Sequence, residues 1–239
     1  MSVFAPMQGN FSSMTENEHC KSQDVASEQD TVVVQKGWQL AAKRFLDVLA
    51  ASFLLLFTLP VLAIIGCLVR KDGGPVFYGH ERIGQNGVPF KCYKFRSMVV
   101  DSASALERLL ATDPQARKEW EATRKLTRDP RITLVGRVLR KSSLDEIPQL
   151  FNVLKGDMSL VGPRPVVSKE LEYYGPAARY YAAVRPGITG LWQISGRSDT
   201  TYAERVALDS QYVKKWNLKL DILILLKTLP AVLLQKGAR

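Results

Sequence analysis

The feature that most constrains this fold is an uncharged apolar run over residues 48–69, which a single proline, Pro60, interrupts. Twenty-two residues of helix are long enough to span the hydrocarbon core of a bilayer. Lys43 precedes the run and Lys71 follows it, so positive charge at both ends gives no orientation by the positive-inside rule. The run is therefore a buried soluble helix, a transmembrane span, or a membrane helix that enters and leaves on one side.

Pro60 favours the last of these three interpretations. Proline lacks an N–H group and removes one helical hydrogen bond, so it predicts a kink in the middle of the run. Thr58 is placed to satisfy a carbonyl group freed near this break. A kinked helix that enters and leaves on one side accounts for both the proline and the flanking charges. We predict a re-entrant membrane helix within an interfacial segment over residues 36–71.

Composition limits the partners and the chemistry. A net charge of +10 and a pI near 9.6 indicate an anionic partner, which nucleic acid, an acidic membrane surface or a phosphorylated substrate could supply. The three widely spaced cysteines argue against a disulfide scaffold or a zinc site, and favour a reducing compartment. Residues 1–35 are polar and carry no apolar run, which predicts a disordered tail.

Two adjacent carboxylates, Asp145 and Glu146, precede a segment whose apolar residues recur at helical spacing. Ser143 and Glu146 match a capping box, but Pro148 fits a first helical turn, so either Ser143 or Asp145 could be the cap. Both assignments place the carboxylates at the positive end of the helix dipole. There Asp145 would be held ionised and an anion could dock beside it, although the same pattern also fits a well-capped helix without chemistry.

Arginines accompany these carboxylates along the sequence. Arg140 lies one turn upstream, and Arg164 lies downstream between two prolines that hold it in a stiff loop. Guanidinium groups bind phosphate oxygens in a bidentate manner. The loop over residues 184–197 is dense in glycine and proline, and its Arg185 and Arg197 could add phosphate contacts. Carboxylates together with arginines indicate phosphoryl transfer.

The remaining patterns predict an α+β, mainly helical chain. Strands over residues 76–83 and 88–98 should form a β-hairpin, because Asn86-Gly87 between them is a strong turn signal. The second strand interleaves basic and aromatic side chains, which fits either a solvated face or a surface toward phosphate groups. Residues 218–234 are apolar with scattered charges, which is typical of a helix lying on a membrane.

Taken together, these residues resemble the monotopic phosphoglycosyl transferases, the bacterial sugar transferases that act on polyprenyl phosphate. The resemblance runs from about Lys43 to the C-terminus and keeps the family's motif order. The matching motifs are Lys43-Arg44-x-x-Asp47, Tyr93-Lys94-Phe95-Arg96-Ser97-Met98, Asp129-Pro130-Arg131, Ser143-Leu144-Asp145-Glu146, Gly156-Asp157-Met158-Ser159, Val161-Gly162-Pro163-Arg164-Pro165 and Arg185-Pro186-Gly187-Ile188-Thr189-Gly190. One departure is Leu59-Pro60, where the family usually has Ser-Pro, and it puts the angle of the helix break in doubt.

The resemblance implies one membrane-associated catalytic domain over residues 72–239, with a β-hairpin and interfacial amphipathic helices, on the cytoplasmic face of a bacterial inner membrane. It implies transfer of a sugar-1-phosphate from a UDP-sugar to polyprenyl phosphate, with release of UMP and a requirement for Mg²⁺. Residues 191–197 are most similar to hexose-1-phosphate transferases that begin exopolysaccharide repeat units, and galactose is the favoured sugar by this resemblance alone.

The resemblance also assigns roles to residues. Asp145 would be the nucleophile that forms a phosphosugar intermediate, and Glu146 its partner in the dyad. Arg164 would bind phosphate, with Arg140 and Arg185 as weaker candidates. Asp145, Glu146 and Asp157 would bind the metal, although Asp157 is either a metal-shell or a structural carboxylate. The substrate loop would contribute Gly187, Gly190, Gln193 and Arg197.

Two functions without chemistry compete with this one. A membrane-tethered basic module that binds nucleic acid or acidic lipids would explain the charge and the anchor, but acidic Asp145, Glu146 and Asp157 would repel a polyanion. We therefore expect no nucleic-acid partner. A scaffold subunit of a polysaccharide-assembly complex is the second alternative, and the intact dyad argues against it. The sequence leaves a homo-oligomer open.

Overall fold

The computed structural model describes residues 37–123, 125–195 and 200–233. The predicted tail over residues 1–35 and Arg197 lie outside these ranges. In chain order the elements are α1 (Gly37–Arg70), β1 (Phe77–Ile83), β2 (Pro89–Phe95), α2 (Ser102–Thr112), α3 (Pro114–Thr123), α4 (Leu134–Ser142), α5 (Gln149–Lys155), β3 (Ser159–Val161), α6 (Ser168–Leu171), α7 (Ala178–Ala183), β4 (Gly187–Thr189), α8 (Leu191–Ser195), α9 (Tyr202–Lys214) and α10 (Leu218–Leu233).

The described part of the chain is mainly helical, as predicted, and contains two small sheets. The predicted hairpin is confirmed, since β1 and β2 pair antiparallel with Phe77 opposite Phe95, and Asn86 and Gly87 adopt positive φ in the turn. The second sheet is a short parallel pair of β3 and β4, in which Val161 lies opposite Thr189. Helical structure between β3 and β4 supplies the crossover that a parallel pair requires.

Helix α1 packs on the rest of the domain along one stripe. Residues on both sides of Pro60 contribute to this stripe, since Ala51 belongs to the main hydrophobic core and Leu62 to a second cluster with Phe95 and Leu139. The buried positions of α1 are Asp47, Ala51, Leu62, Ile65 and Val69. Its other side carries exposed aromatic and aliphatic residues such as Phe53 and Phe57, and among the described residues α1 is long and apolar enough to cross a membrane.

The predicted role of Thr58 at the helix break is wrong. The helix continues through Pro60, and the carbonyl that this proline deprives of an N–H donor belongs to Leu56, four residues earlier. The Thr58 hydroxyl instead donates to the Leu54 carbonyl at 2.7 Å. The reason is geometric, because a threonine side chain in a helix reaches back to the carbonyl three or four residues before it.

A buried polar network ties the N-terminal part of α1 to α10. The Lys43 ammonium group lies 2.7 Å from the Asp221 carboxylate. The same carboxylate accepts hydrogen bonds from the Tyr212 hydroxyl at 2.7 Å and the Trp216 indole at 3.1 Å. Asp47 accepts from the backbone of β3 at 3.1 Å. The start of the apolar run is therefore fixed to the folded domain by partnered polar groups, as buried charges require.

Helix α10 has the amphipathic character expected of a membrane-surface helix. Asp221 and Ile224 are buried against the domain. Its other side carries exposed apolar residues, namely Ile222, Leu223, Leu225 and Leu226. Of the charges scattered along this segment, Asp221 faces the core and binds Lys43 of α1.

The helical segment between β3 and β4 is broken. Helix α6 ends at Leu171 and a 3₁₀ segment precedes α7. Gly175 has a φ of 48° and Pro176 follows it, so the helical hydrogen-bond ladder cannot pass this point. The break lets Tyr174 and Tyr181 pack edge to face in the interior.

Candidate active site

The two candidate catalytic carboxylates lie in a 3₁₀ turn, Leu144–Glu146, between α4 and α5. Ser143 adopts a left-handed conformation with a φ of 57°, which ends α4. A helix N-cap needs an extended backbone, so the predicted capping box at Ser143 does not form. Pro148 holds the N-cap position of α5. The carboxylates therefore precede α5, and do not occupy its first turn as predicted.

Asp145 is largely buried, with 9% of its surface exposed. Burial raises the pKa of its carboxyl group, although the charges of Lys94 and Arg140 act in the opposite direction. Desolvation thus outweighs the neighbouring positive charges, and the pKa shifts upward, whereas a helix dipole would lower it. An anionic Asp145 in this position is poorly solvated, which is the condition under which a carboxylate is a reactive nucleophile.

Glu146 forms an ion pair with Lys94 of β2. The Lys94 ammonium nitrogen lies 2.5 Å from a Glu146 carboxylate oxygen, and both side chains are partly exposed. Lys94 thus faces both members of the dyad, since its charge also acts on Asp145. The sequence does not distinguish Lys94 from the other basic residues of its predicted strand. Its position in the Tyr93–Met98 motif is the feature that could have identified it as a site residue.

Arg140 is placed beside the dyad by close packing of α4 on the segment after β2. Its guanidinium Nε donates to the Ser97 hydroxyl at 2.8 Å. Gly136 of α4 lies so close to Ser97 that an added Cβ would be 1.9 Å from the Ser97 carbonyl oxygen. Only glycine allows this approach, so the contact fixes the end of α4 and brings the Arg140 charge near Asp145.

Arg96, which the sequence grouped with the basic strand, has a structural role. It is buried and donates to the backbone carbonyls of Val69 at 2.9 Å and Pro75 at 2.8 Å. It also forms an ion pair with Asp72. These contacts tie the C-terminal end of α1 to β2. The two basic residues therefore have different roles, since Lys94 lies at the dyad and Arg96 lies in the interior.

Arg164 is exposed between two buried prolines and lies over an aromatic ring. Its guanidinium carbon is 5.7 Å from the centre of the Trp192 ring, and that of Arg205 is 4.7 Å from the same ring. Nearby Asp209 is buried and accepts a 2.8 Å hydrogen bond from Tyr174. Burial raises the pKa of Asp209 to about 7, while the Arg164 and Arg205 charges lower it. Among the described hydrogen bonds and ion pairs, none joins Arg164 to Asp145.

The predicted substrate loop packs backbone to backbone against the turn that carries Arg164. A Cβ added to Gly187 would lie 2.1 Å from the Gly162 nitrogen, and one added to Gly190 would lie 2.2 Å from the Gly162 carbonyl oxygen. Gln193 follows on α8, with its side-chain oxygen close to Gly190. These glycines hold the Pro-Arg-Pro turn in place. Arg197, the last predicted residue of the loop, lies outside the described residues.

Arg185 and Asp157 lie at the far end of α5 from the dyad. Arg185 donates to the Gly156 carbonyl at 2.8 Å. Asp157 accepts from the Asn152 amide at 3.1 Å and lies 3.3 Å from the Lys155 ammonium group. Helix α5 spans about 10 Å between the two ends. The structure therefore brings Lys94 and Arg140 to the dyad, and places Arg185 and Asp157 elsewhere.

The dyad offers oxygen ligands suited to a divalent cation. Within the described residues there is no group of three acidic, histidine or cysteine side chains that could hold a metal. Mg²⁺ is commonly held by one or two carboxylates, with waters and substrate phosphates completing its coordination. The carboxylates of Asp145 and Glu146 fit this requirement, and Asp157 is not needed for it.

Comparison with known proteins places the chain in a family. The model for bacterial sugar transferases matches residues 38–235. The exopolysaccharide production protein ExoY of Rhizobium meliloti (strain 1021) is 58% identical over 198 residues, which are 82% of this chain and 88% of that protein. The undecaprenyl-phosphate galactose phosphotransferase of Salmonella typhimurium is 56% identical over 82% of this chain. The UDP-galactose-lipid carrier transferase of Erwinia amylovora is 54% identical over the same share.

The relatives differ in length. The match covers 41% of both the Salmonella and the Erwinia protein, so this chain spans less than half of each, whereas it spans most of ExoY. The family match covers the dyad turn, the Pro-Arg-Pro turn and the glycine loop described above. On these matches the chain is a transferase that belongs to the bacterial sugar transferase family.

Proposed function

We propose that this protein transfers a sugar-1-phosphate from a UDP-sugar to polyprenyl phosphate (undecaprenyl phosphate), as the first step of exopolysaccharide repeat-unit synthesis. The observation that carries the proposal is the dyad turn, where poorly solvated Asp145 lies among Glu146, Lys94 and Arg140. The names of two relatives support a galactose-containing donor and a lipid carrier as acceptor. Galactose is accordingly the sugar we propose.

In the proposed first step an Asp145 carboxylate oxygen attacks the phosphorus atom that carries the sugar. A bond forms between that oxygen and phosphorus, the bond from phosphorus to the bridging oxygen breaks, and UMP leaves with the bridging oxygen. In the second step an oxygen of polyprenyl phosphate attacks the same phosphorus, which yields the polyprenyl-diphosphate sugar and frees the Asp145 carboxylate. Burial of Asp145 supports this role, since a desolvated anion is a stronger nucleophile.

Positive charge at the dyad would stabilise the negative charge that develops on the phosphoryl oxygens. Lys94 and Arg140 are the residues we assign to this task, with Arg164 as a further phosphate ligand on its stiff turn. Asp145 and Glu146 would hold Mg²⁺, which when bound neutralises phosphate charge. In this assignment Lys94 maintains Glu146 in place before the metal arrives, and Asp157 is a structural carboxylate.

The membrane arrangement we propose is a re-entrant α1 on the cytoplasmic face of the bacterial inner membrane. It is supported by the packing of α1 residues on both sides of Pro60 against one domain. Single cysteines replacing Lys36 and Lys71, in a Cys20→Ser, Cys67→Ser background, should both react with a membrane-impermeant maleimide only in inverted vesicles. Labelling of either site in intact spheroplasts would show instead that α1 crosses the bilayer.

The reaction is tested with purified full-length protein, undecaprenyl phosphate and a panel of UDP-sugars. UDP-galactose should give UMP and a lipid-linked galactose phosphate in equal amounts, and chelation of divalent metal should stop both. Addition of Mg²⁺ should restore the rate. If no UDP-sugar releases UMP while the protein still binds membranes, the alternative of a tethered binding or scaffold protein is correct.

A further inference from the structure

A cationic cavity lies where the start of α1 meets the C-terminal end of α5. It has a volume of about 80 Å³, which is room for several water-sized groups. The side chains of Lys43, Arg44 and Arg185 line it, together with a single carboxylate from Asp47. Lys43 is paired with Asp221, so Arg44 and Arg185 against the Asp47 carboxylate leave an excess of positive charge that suits an anion.

An apolar groove adjoins this cavity between α1 and α10. Its volume of about 520 Å³ is in the range of ligand-binding pockets, which is about 300–1,000 Å³. Aliphatic and aromatic side chains form most of its wall, namely Leu46, Leu49, Phe53, Leu218, Ile222 and Leu225. Lys43, Asp47 and Val161 line both the groove and the cavity, so the two spaces lie side by side.

The arginines that line the cavity have N–H groups that can still donate hydrogen bonds to a ligand. Arg44 donates to the carbonyls of Val153 at 2.6 Å and Leu154 at 2.9 Å, and Arg185 donates through Nε alone. These bonds cap the end of α5, which is their structural role. A guanidinium group has five N–H donors, and within the described residues no hydrogen bond uses the terminal nitrogens of Arg185. They remain available to a phosphate group.

The cavity lies apart from the dyad. Asp47, which lines the cavity, is fifteen positions before Leu62 on α1, or about 22 Å of helix. Leu62 belongs to the cluster on which Leu144, next to Asp145, is packed. A phosphate held at Arg185 would therefore be far from the dyad. A molecule with an anionic head and an apolar chain fits the two spaces, and their distance from the dyad favours one that takes no part in the transfer.

We propose that this cavity and groove bind one anionic phospholipid of the membrane, with its phosphate at Arg44 and Arg185 and an acyl chain between α1 and α10. The apolar surfaces of α1 and α10 on either side of the groove would themselves contact lipid. Bound there, the phospholipid would join the two membrane-facing helices and stabilise the domain at an anionic leaflet. The proposal relies on the membrane location given above, and is independent of the catalytic mechanism.

The test measures the melting temperature of the full-length protein in detergent micelles with added lipid. Phosphatidylglycerol should raise the melting temperature by several degrees through binding to the folded state. Phosphatidylcholine, inorganic phosphate and undecaprenyl phosphate should each give less than half of that rise. An equal rise with phosphatidylcholine would refute recognition of the head group. A full rise with phosphate alone, or a larger one with undecaprenyl phosphate, would refute the phospholipid as occupant.

Two matched pairs of variants test where the phospholipid binds. Leu49→Trp fills the groove, whereas Leu56→Trp makes the same change at an exposed α1 position outside it. Arg185→Gln removes a charge from the cavity, and Arg137→Gln removes one from the exposed face of α4. The first member of each pair should lose most of the phosphatidylglycerol response and the second should keep it. Equal responses within both pairs would overturn the proposed site.

The result can be separated from the proposed catalysis. Asp145→Asn should keep the full response to phosphatidylglycerol, because Asp145 is remote from the cavity. If transfer fails for every UDP-sugar but the response survives in this variant, the proposed function is wrong and the lipid site stands. If transfer is observed but the lipid response is absent in the parent protein, the lipid site is wrong and the function stands.

Discussion

Asp145→Asn is expected to abolish both sugar-phosphate transfer and the exchange of labelled UMP into UDP-galactose, by on the order of 10³-fold or more, as for removal of other covalent nucleophiles. The carboxamide is nearly isosteric with the carboxylate, but its oxygen is too weak a nucleophile to form the phosphosugar intermediate. Exchange is the decisive measurement, since it needs only the first step and no lipid acceptor. Full exchange in this variant would rule out Asp145 as the nucleophile.

The same variant should not be less stable than the parent protein. Burial raises the pKa of Asp145, so the charged form is a cost to the folded state that the neutral amide avoids. Its melting temperature in detergent is expected to be equal or higher, which is the trade-off often found at active sites. A large fall in melting temperature would mean that lost activity reflects unfolding.

Asp157→Asn is the matched control for Asp145→Asn. It makes the same chemical change at a carboxylate of the Gly156–Ser159 motif, but at the opposite end of α5. Asparagine can still accept from the Asn152 amide, so only the ion pair with Lys155 is lost. UMP exchange should stay within about an order of magnitude of the parent rate, because exposed ion pairs contribute little. A complete loss of UMP exchange would indicate that Asp157 is a metal ligand.

Gly187→Ala is expected to destabilise the protein by about 3 kcal/mol or more, because overpacking against backbone cannot be relieved by side-chain rotation. The new methyl group would lie 2.1 Å from the Gly162 nitrogen and 2.5 Å from the Thr189 carbonyl oxygen. For a chain of this length the melting temperature should fall by about 6–12 °C. Protein that remains folded should also lose UMP exchange, because Gly162 and Arg164 belong to one turn.

Gly66→Ala is the control for this substitution. Gly66 is in the interior of α1, and an added Cβ would meet the Val76 side chain at 3.6 Å, an ordinary contact. Alanine is also the better helix former at such a position. The melting temperature should therefore be unchanged or slightly raised. An unaltered melting temperature in Gly187→Ala as well would show that β3 and β4 do not pair in the folded protein.

Local patterns were sufficient to predict the hairpin and the long apolar helices α1 and α10, because turn residues and apolar runs are encoded nearby in the chain. Asn86-Gly87 forms its turn with positive φ as expected. The start of α5 was not predictable in the same way, since the capping pattern at Ser143 competes with the left-handed end of α4. The parallel pairing of β3 and β4 was also missed, because strands of three residues carry little periodicity.

The candidate site was only partly predictable from sequence. The dyad, Arg140 and Arg164 followed from residue type and motif order. Lys94 was not singled out, because its ion pair with Glu146 joins residues 52 positions apart. The upward shift of the Asp145 pKa was not predicted, since burial is a property of the folded chain. Ion pairs between residues far apart in the sequence, and the burial of individual side chains, cannot be predicted from local sequence patterns.

The buried stripe of α1 has a consequence for how this protein can be handled. Ala51 belongs to the hydrophobic cluster that joins α5 to β2, and Leu62 to the cluster that contains Phe95 and Leu139. Cutting away residues 1–70 to obtain a water-soluble catalytic fragment would leave both clusters open to solvent. Such a fragment should aggregate. A detergent that displaces α1 from the two clusters should inactivate the enzyme, even though the polypeptide is not cleaved.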